Sequence, residues 1–257
     1  DTKQQAARAL GNLACNTENQ KSIAEAGAIK PLVDLLSSKD NDTKQSATAV
    51  LAHLAYNNTK NQKTIADADA IKPLIELLSC KDRKTKRFAA LVLARLACNY
   101  TENQITIADA GAIPLLVGLL SSKNNNTKKY AADALAELAC NNTKNQKSIA
   151  KAGAIPLLIG LLSSEYLGTK EYAARALLNL TCNTENKKTI ADAGAIPILF
   201  GLFSYLPYAI KEVAKALANF ARNTETQKTI VDAGAIPLVV GLLSSEDKDT
   251  KQYAARA

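Results

Sequence analysis

Apolar residues recur along this chain at the spacing of an α-helix, in blocks that polar residues separate. In the first block Ala6, Leu10, Leu13 and Ala14 fall on one helical face. Similar blocks follow along the whole chain, and between them lie almost continuously apolar stretches that begin near a proline and end at LLSS or a variant. The pattern predicts an all-α fold.

The helical pattern is part of an internal repeat. Equivalent residues lie at Gly27, Asp69, Gly111, Gly153, Gly194 and Gly234, at intervals of 42, 42, 42, 41 and 40 residues. A period in this range that persists along a whole chain predicts a solenoid of stacked supersecondary units. We expect one domain, 1–257, with five full repeats at roughly 16–57, 58–99, 100–141, 142–183 and 184–223, and a partial repeat at each end.

Each repeat is predicted to contain three helices. The first should open with a capping box, in which a Thr and a Gln three residues later bond to each other's backbone. The pairs are Thr17 with Gln20, Thr59 with Gln62, Thr101 with Gln104, Thr143 with Gln146 and Thr224 with Gln227, and only Thr184 with Lys187 breaks the pattern. It should end at Gly27 and its equivalents in a left-handed conformation, which Asp69 also tolerates. The second helix starts near a proline, and the third near DTKQ.

The motif AGAIPLLVGLLSS followed by AARALGNLA resembles the armadillo repeat family, and the resemblance covers essentially the whole chain. HEAT repeats are the nearest alternative. The resemblance implies a right-handed superhelix whose third helices line a concave groove, which relatives use to hold extended peptides of partner proteins.

One face of the third helix varies although the rest of the repeat is kept. Such variation is incompatible with burial between repeats, so we expect an open face that binds a partner. The alternatives are that the face varies because nothing uses it, and that its aromatic residues only pack. The predicted binding residues, called the ladder residues below, are Arg8, Asn12, His53, Phe88, Arg95, Tyr130, Asp133, Glu137, Tyr172, Arg175, Asn179, Lys215, Asn219, Tyr253 and Arg256.

The ladder residues also suggest which partner to expect. Asn12, Asn179 and Asn219 match an Asn of peptide-binding armadillo proteins such as the nuclear-import adaptors, but the Trp of those adaptors is missing throughout. An import adaptor is therefore the weaker alternative. Because the charge changes sign along the ladder, we expect a protein or peptide partner of mixed charge and not a nucleic acid.

Composition excludes several other classes of function. The net charge is +8, and because Lys and Arg are spread along the chain, we interpret it as a solvated basic surface. No apolar run approaches the length of a membrane span. The single histidine, and cysteines without metal-ligand spacing, predict no enzyme activity, no metal and no cofactor.

The cysteines and the terminal units add two expectations. Cys15, Cys98, Cys140 and Cys182 share one phase of the repeat and should be small core residues with free thiols, and Cys80 should be exposed. Free thiols favour the cytoplasm, with the nucleus as the alternative. The terminal units lack a distinct polar cap, so end-to-end self-association as a structural module is the alternative function.

Overall fold

The computed structural model describes residues 2–202, 210–222 and 224–256, and every regular element in these ranges is a helix. The all-α prediction is confirmed. The chain divides into two compact units, Asp1–Leu138 and Ala139–Ala257. That the repeats form one domain stays a prediction.

The helices follow the predicted order of three per repeat. In the first unit they are α1 (Thr2–Leu13), α2 (Thr17–Glu25), α3 (Ile29–Asp34), α4 (Asn41–Leu54), α5 (Thr59–Asp67), α6 (Ile71–Leu78), α7 (Arg83–Ala97), α8 (Thr101–Asp109), α9 (Ala112–Leu119) and α10 (Asn125–Ala139), which ends one residue inside the second unit. A single 3₁₀ turn, Leu35–Ser37, extends α3.

The second unit continues with α11 (Thr143–Lys151), α12 (Ala154–Leu161), α13 (Leu167–Leu180), α14 (Thr184–Asp192), α15 (Ala195–Leu202), α16 (Ile210–Ala221), α17 (Thr224–Asp232), α18 (Ala235–Leu243) and α19 (Lys248–Ala254). The third helices of the repeats are therefore α1, α4, α7, α10, α13, α16 and α19. Each second helix begins two residues before its proline, so the proline lies in the first turn as predicted.

The predicted capping box of the first helices is wrong. At α2 the N-cap is the Asn before the Thr: Asn16 accepts hydrogen bonds from the N–H groups of Glu18 and Asn19 at 2.8 and 3.3 Å. Asn58, Asn142 and Asn183 cap their helices in the same way. The Gln of the supposed box instead turns toward the preceding third helix, so the pair recognised in the sequence serves two different helices.

The cap of α8 gives a first testable prediction, because Tyr100 at its N-cap makes no side-chain capping bond. Its φ and ψ of −130° and 92° nearly equal the −124° and 94° of the capping Asn142. Tyr100→Asn should therefore raise the free energy of unfolding by about 1 kcal/mol, measured by urea denaturation. Asn142→Ala should lower it by a similar amount, and a Tyr100→Asn variant no more stable than the parent would contradict the assignment.

The turns between helices use left-handed residues at two places in the repeat. Gly27 (φ 77°), Asp69 (φ 64°) and the equivalent glycines end the first helices, as predicted. Asn57, Asn99 and Asn141 also have positive φ, in the connection from a third helix to the next first helix. The repeat that begins at Asn183 lacks this extra Asn, which accounts for its interval of 41 instead of 42 residues.

The core of each unit lies where third helices pack side by side and on second helices, as α7 packs on α6 and α13 on α12. In the first unit α4 packs on α1 and α7, and in the second α16 packs on α13 and α19. The predicted apolar stripe is buried at Ala47, Leu51 and Leu54 of α4 and at Ala55, which follows the helix. On α1 the same stripe is only partly covered, because Ala6 and Leu13 are exposed and Leu10 is half-buried.

Candidate functional site

The ladder residues lie on the third helices of both units, and the structure groups them by unit. In the first unit they are Arg8 and Asn12 on α1, His53 on α4, Phe88 and Arg95 on α7, and Tyr130, Asp133 and Glu137 on α10. In the second unit they are Tyr172, Arg175 and Asn179 on α13, Lys215 and Asn219 on α16, and Tyr253 on α19, with Arg256 just beyond its end.

A surface cavity of about 380 Å³ between α2 and α5 lies among first helices, but a smaller one lies on the third-helix face. This second cavity, of about 280 Å³, is shared by α1, α4 and α7. Arg8, Asn12, His53 and Phe88 line it, together with the smaller polar residues Gln45 and Ser46. Four ladder residues thus surround one opening.

Arg95 borders this region but is held by protein groups. Its guanidinium donates a hydrogen bond to the carbonyl oxygen of Ala52 and lies 4.8 Å from the centre of the Tyr56 ring. Tyr56 is exposed, and the sequence analysis missed it. The available signal was that Tyr56 brings an aromatic ring to a repeat position that Cys or Arg holds in the other repeats.

His53 has a pKa that its surroundings in the cavity shift. Burial, and then the positive charge of Arg95, hold the pKa of His53 below its usual range. The imidazole is therefore neutral at neutral pH and offers one hydrogen-bond donor and one acceptor to a partner.

The shift of His53 predicts a pH dependence of stability. Since the folded-state pKa is lower than that of the unfolded chain, the unfolded chain binds more protons as the pH falls below about 6.5, so acid reduces stability. His53→Asn, which installs the residue of three other repeats, should lose less unfolding free energy than the parent between about pH 7.5 and pH 5. Parallel urea titrations at each pH test this, and identical pH profiles of the two proteins would contradict it.

The expectation that the ladder face is open is wrong at two positions. Asp133 is only 9% exposed and Asn179 only 7% exposed. Both side chains are short and stay close to the helix surface, whereas longer Arg and Lys side chains carry their charged heads toward water. Arg8, Asn12 and Arg256 are exposed, and the other ladder residues are half-buried.

In the second unit, basic ladder residues also make contacts within the protein. The Arg175 guanidinium lies 5.1 Å from the centre of the Tyr172 ring. Lys215 Nζ donates a hydrogen bond to Asn141 Oδ1 at 2.9 Å, and Asn219 Nδ2 lies 3.6 Å from Cys182 Sγ. A partner on this face would meet side chains that are already positioned.

The cysteines differ from expectation. Cys15 and Cys182 are exposed, Cys98 and Cys140 are half-buried, and all have free thiols, so the four in-phase cysteines are not core residues. Cys80, expected to be exposed, is half-buried, and burial raises the pKa of its thiol. The repeat position that these four cysteines share therefore lies at the edge of the apolar stripe and not within it.

The ranges 2–202, 210–222 and 224–256 were the ones in which metal-binding clusters and membrane-spanning helices could be recognised. In them, no three His, Cys, Asp or Glu side chains lie close enough to hold a metal ion. No single helix there has both the length and the hydropathy needed to cross a bilayer, although Thr226–Asp232 and Ala235–Leu243, bent by 87°, meet both conditions as a pair.

Comparison with known families gives matches along the chain. The family described as "Plant U-box protein ARM repeat region" matches residues 2–199, and the "Armadillo/beta-catenin-like repeat" matches residues 223–257. No curated protein matches the chain.

Several similar solved structures are engineered or designed proteins. One engineered protein is 38% identical to this chain, with a TM-score of 0.84. The match covers 99% of this chain, which spans only 63% of the length of that protein. A designed armadillo repeat protein is 28% identical over 89% of this chain and 97% of its own, with a TM-score of 0.77. Another, in complex with the peptide (KR)4, has the same identity and coverage and a TM-score of 0.73.

Proposed function

Because the chain belongs to the armadillo repeat family, we propose that it is a non-enzymatic scaffold that binds extended peptide segments of partner proteins along its third helices. Designed armadillo proteins similar to the chain are built for modular peptide recognition, and one is bound to a peptide. The observation that carries the proposal is the cavity shared by α1, α4 and α7, which four ladder residues line.

The side chains around this cavity favour a peptide of mixed character. Arg8 is exposed and can pair with a carboxylate, and Asn12 can pair with the donor and the acceptor of a peptide backbone. Phe88 is half-buried and offers an apolar surface to a partner side chain. In the same unit Glu137 is half-buried and supplies the opposite charge, so the partner should carry both signs.

The test is a proteome-scale peptide-display selection against the parent and two variants. The ladder variant carries Arg8→Ala, Asn12→Ala and His53→Ala, three cavity residues that are exposed or half-buried. The control variant carries Glu18→Ala, Lys21→Ala and Thr64→Ala, exposed residues of the first helices. Arg95 and Asn179 are left intact, because Arg95 bonds to Ala52 and Asn179 is buried.

We expect peptides with a shared motif that bind the parent and the control variant and are lost from the ladder variant. A uniformly basic motif with the same dependence would favour the import-adaptor alternative. If the ladder variant selects the same peptides as the parent while its circular dichroism spectrum is unchanged, the third-helix site is wrong.

We also propose that the protein works in the cytoplasm or the nucleus, since its cysteines are free thiols and two of them are exposed. Fluorescence microscopy of the tagged protein, with fractionation, tests this. A secreted pool with the cysteines oxidised would contradict it.

A second candidate function, self-association through the surface of α18, rests on a separate observation. Ile236 and Val240 are 55% and 59% exposed, whereas Ile29 and Val33 at the same repeat positions are 3% and 4% exposed. Val231, Ile236 and Val240 also line a cavity of about 380 Å³. An exposed apolar surface of this kind is typical of an interaction site.

Light scattering over a concentration series distinguishes this candidate from the scaffold function. We expect an average mass that rises with concentration in the parent and stays at the monomer value in a Val240→Asp variant. A parent that stays monomeric at every concentration removes self-association and leaves the peptide-binding proposal untouched.

A further inference from the structure

We propose that the turns entering α7 and α10 form a second docking surface, which binds a short acidic segment of a partner protein. We call this surface the basic edge. It consists of Lys81, Arg83, Lys84, Lys86 and Arg87 at the first turn, and Lys123, Lys128 and Lys129 at the second. None of these is a ladder residue, so the inference does not depend on the proposed groove.

Basic residues are denser in these two turns than at the equivalent positions of other repeats, although Lys and Arg were expected to be scattered along the chain without runs. Residues 81–87 contain five basic residues and one acidic residue, a formal charge of +4, and residues 123–129 contain three basic residues and no acidic one, a charge of +3. The same seven positions carry a charge of 0 at 39–45 and −1 at both 165–171 and 246–252.

The fold does not require this charge, because the turns share one geometry whatever their charge. Asp82 Oδ2 accepts the N–H of Thr85 at 2.6 Å, and Asp247 makes the same bond to Thr250 at 2.7 Å in a turn of net negative charge. Asn124 caps α10 in the same way. Because a turn of this geometry forms with either sign of net charge, the folded state gains nothing from the seven net positive charges of the two turns. These charges repel one another.

The two turns open successive third helices of the first unit, and the preceding pair of successive third helices, α4 and α7, packs side by side. Gln104 Nε2 donates to the carbonyl oxygens of Ala97 in α7, at 3.3 Å, and of Glu137 in α10, at 2.9 Å, so the C-terminal ends of these third helices lie close together. Adjacent packed helices are about 8–10 Å apart. In our proposal the eight basic residues form one surface, because the two turns begin the third helices of successive repeats in one unit.

Several of these side chains are available or already oriented. Lys81, Arg83 and Lys84 are exposed, and in the described part of the chain none of them forms an ion pair. The Arg87 guanidinium lies 4.5 Å from the centre of the Phe88 ring, and its buried Nε has no hydrogen-bond partner among the described residues. A guanidinium held in place in this way is suited to a carboxylate, which accepts two parallel hydrogen bonds.

The width of the basic edge and the charge beside it favour a short acidic segment as the partner. Asp40 and Asp42 enter α4 on the neighbouring turn, so a nucleic acid or a membrane plane that extends past the two basic turns meets negative charge. A surface two helices wide matches about four to six residues of an extended chain. A run of Asp or Glu of that length fits the charge and the width.

The test measures binding of a fluorescent peptide with six consecutive Glu residues by anisotropy. The edge variant is Arg83→Asn, Lys84→Asn and Lys129→Gln, and each new residue is one that another repeat carries at the same position, as at Asn41, Asn126 and Gln45. The control variant, Lys60→Gln, Lys63→Gln and Lys72→Gln, removes the same charge from exposed positions on α5 and α6.

We expect the edge variant to bind the hexaglutamate peptide about tenfold more weakly than the parent, and the control variant to stay within about twofold of it. The ladder variant should bind like the parent, so failure of the groove and failure of the basic edge give different results. Added salt should weaken binding by the parent more than binding by the edge variant.

Three results would overturn the proposal. The first is a parent that does not bind the peptide, and the second is an equal loss in the edge and control variants, which would indicate net charge alone. The third is tighter binding of a DNA duplex or of phosphatidylserine vesicles with the same dependence on the edge residues, which would replace the acidic segment by another occupant. Circular dichroism of each variant verifies folding.

Discussion

Phe220→Ala should lower the free energy of unfolding by about 3–5 kcal/mol, the largest effect we expect from any single substitution in this protein. The Phe220 side chain is fully buried on α16, at a position where other third helices carry Leu. Truncation to Ala removes the transfer free energy of the ring and leaves a cavity, which close-packed neighbours fill only in part. Urea denaturation followed by circular dichroism measures the loss.

The repeat supplies a matched control for this substitution. Leu13 occupies the position of Phe220 on α1 but is 52% exposed, so Leu13→Ala should cost well under half as much. Leu54→Ala, at the same position but buried on α4, should cost about 2–5 kcal/mol. If Leu13→Ala and Leu54→Ala cost the same, burial does not decide the importance of this position.

The helices could be predicted from the sequence alone because the same pattern of glycine, proline and apolar positions recurs in every repeat. The glycine positions, the proline positions and the apolar stripe agreed from one repeat to the next, so an error in one repeat was corrected by the others. The left-handed Asp69 was predicted for the same reason and is confirmed. The left-handed Asn57, Asn99 and Asn141 were missed, although the drift from 42 to 41 residues indicated a turn of variable length.

The candidate site was less predictable, because a pattern gives the face of a helix and not the depth of each residue on it. Helical spacing placed Asp133 and Asn179 on the variable face, yet both are buried. Helical spacing also could not indicate that the Arg95 guanidinium bonds to a carbonyl oxygen of the preceding repeat and packs on its Tyr56 ring. Contacts of this kind depend on the distance between repeats, which spacing within one repeat does not contain.

The missed role of Gln in the first helices leads to the second large prediction. Gln62 and Gln146 donate to the carbonyls of Ala55 and Ala139, at the end of the preceding third helix, each at 2.9 Å. Third-helix ends have carbonyls without helical partners, and a buried Gln satisfies them. Lys187 holds this position in another repeat and donates to the Asn219 carbonyl at 2.9 Å instead, and burial lowers its pKa.

Gln104→Ala should therefore cost about 2–3 kcal/mol, because Gln104 is buried and bonds to carbonyls of two third helices, at Ala97 and Glu137. Removing one side chain leaves a buried and a part-buried carbonyl short of a partner, and each such loss costs about 1–3 kcal/mol. Gln227→Ala is the matched control: its bond to Ala221 is exposed, water can replace it, and the cost should be about 0.5–1 kcal/mol. Urea denaturation of both variants measures the loss of unfolding free energy. Equal losses would mean that the bond from Gln104 to Glu137, which joins two repeats, adds nothing to the bond at the end of the preceding third helix.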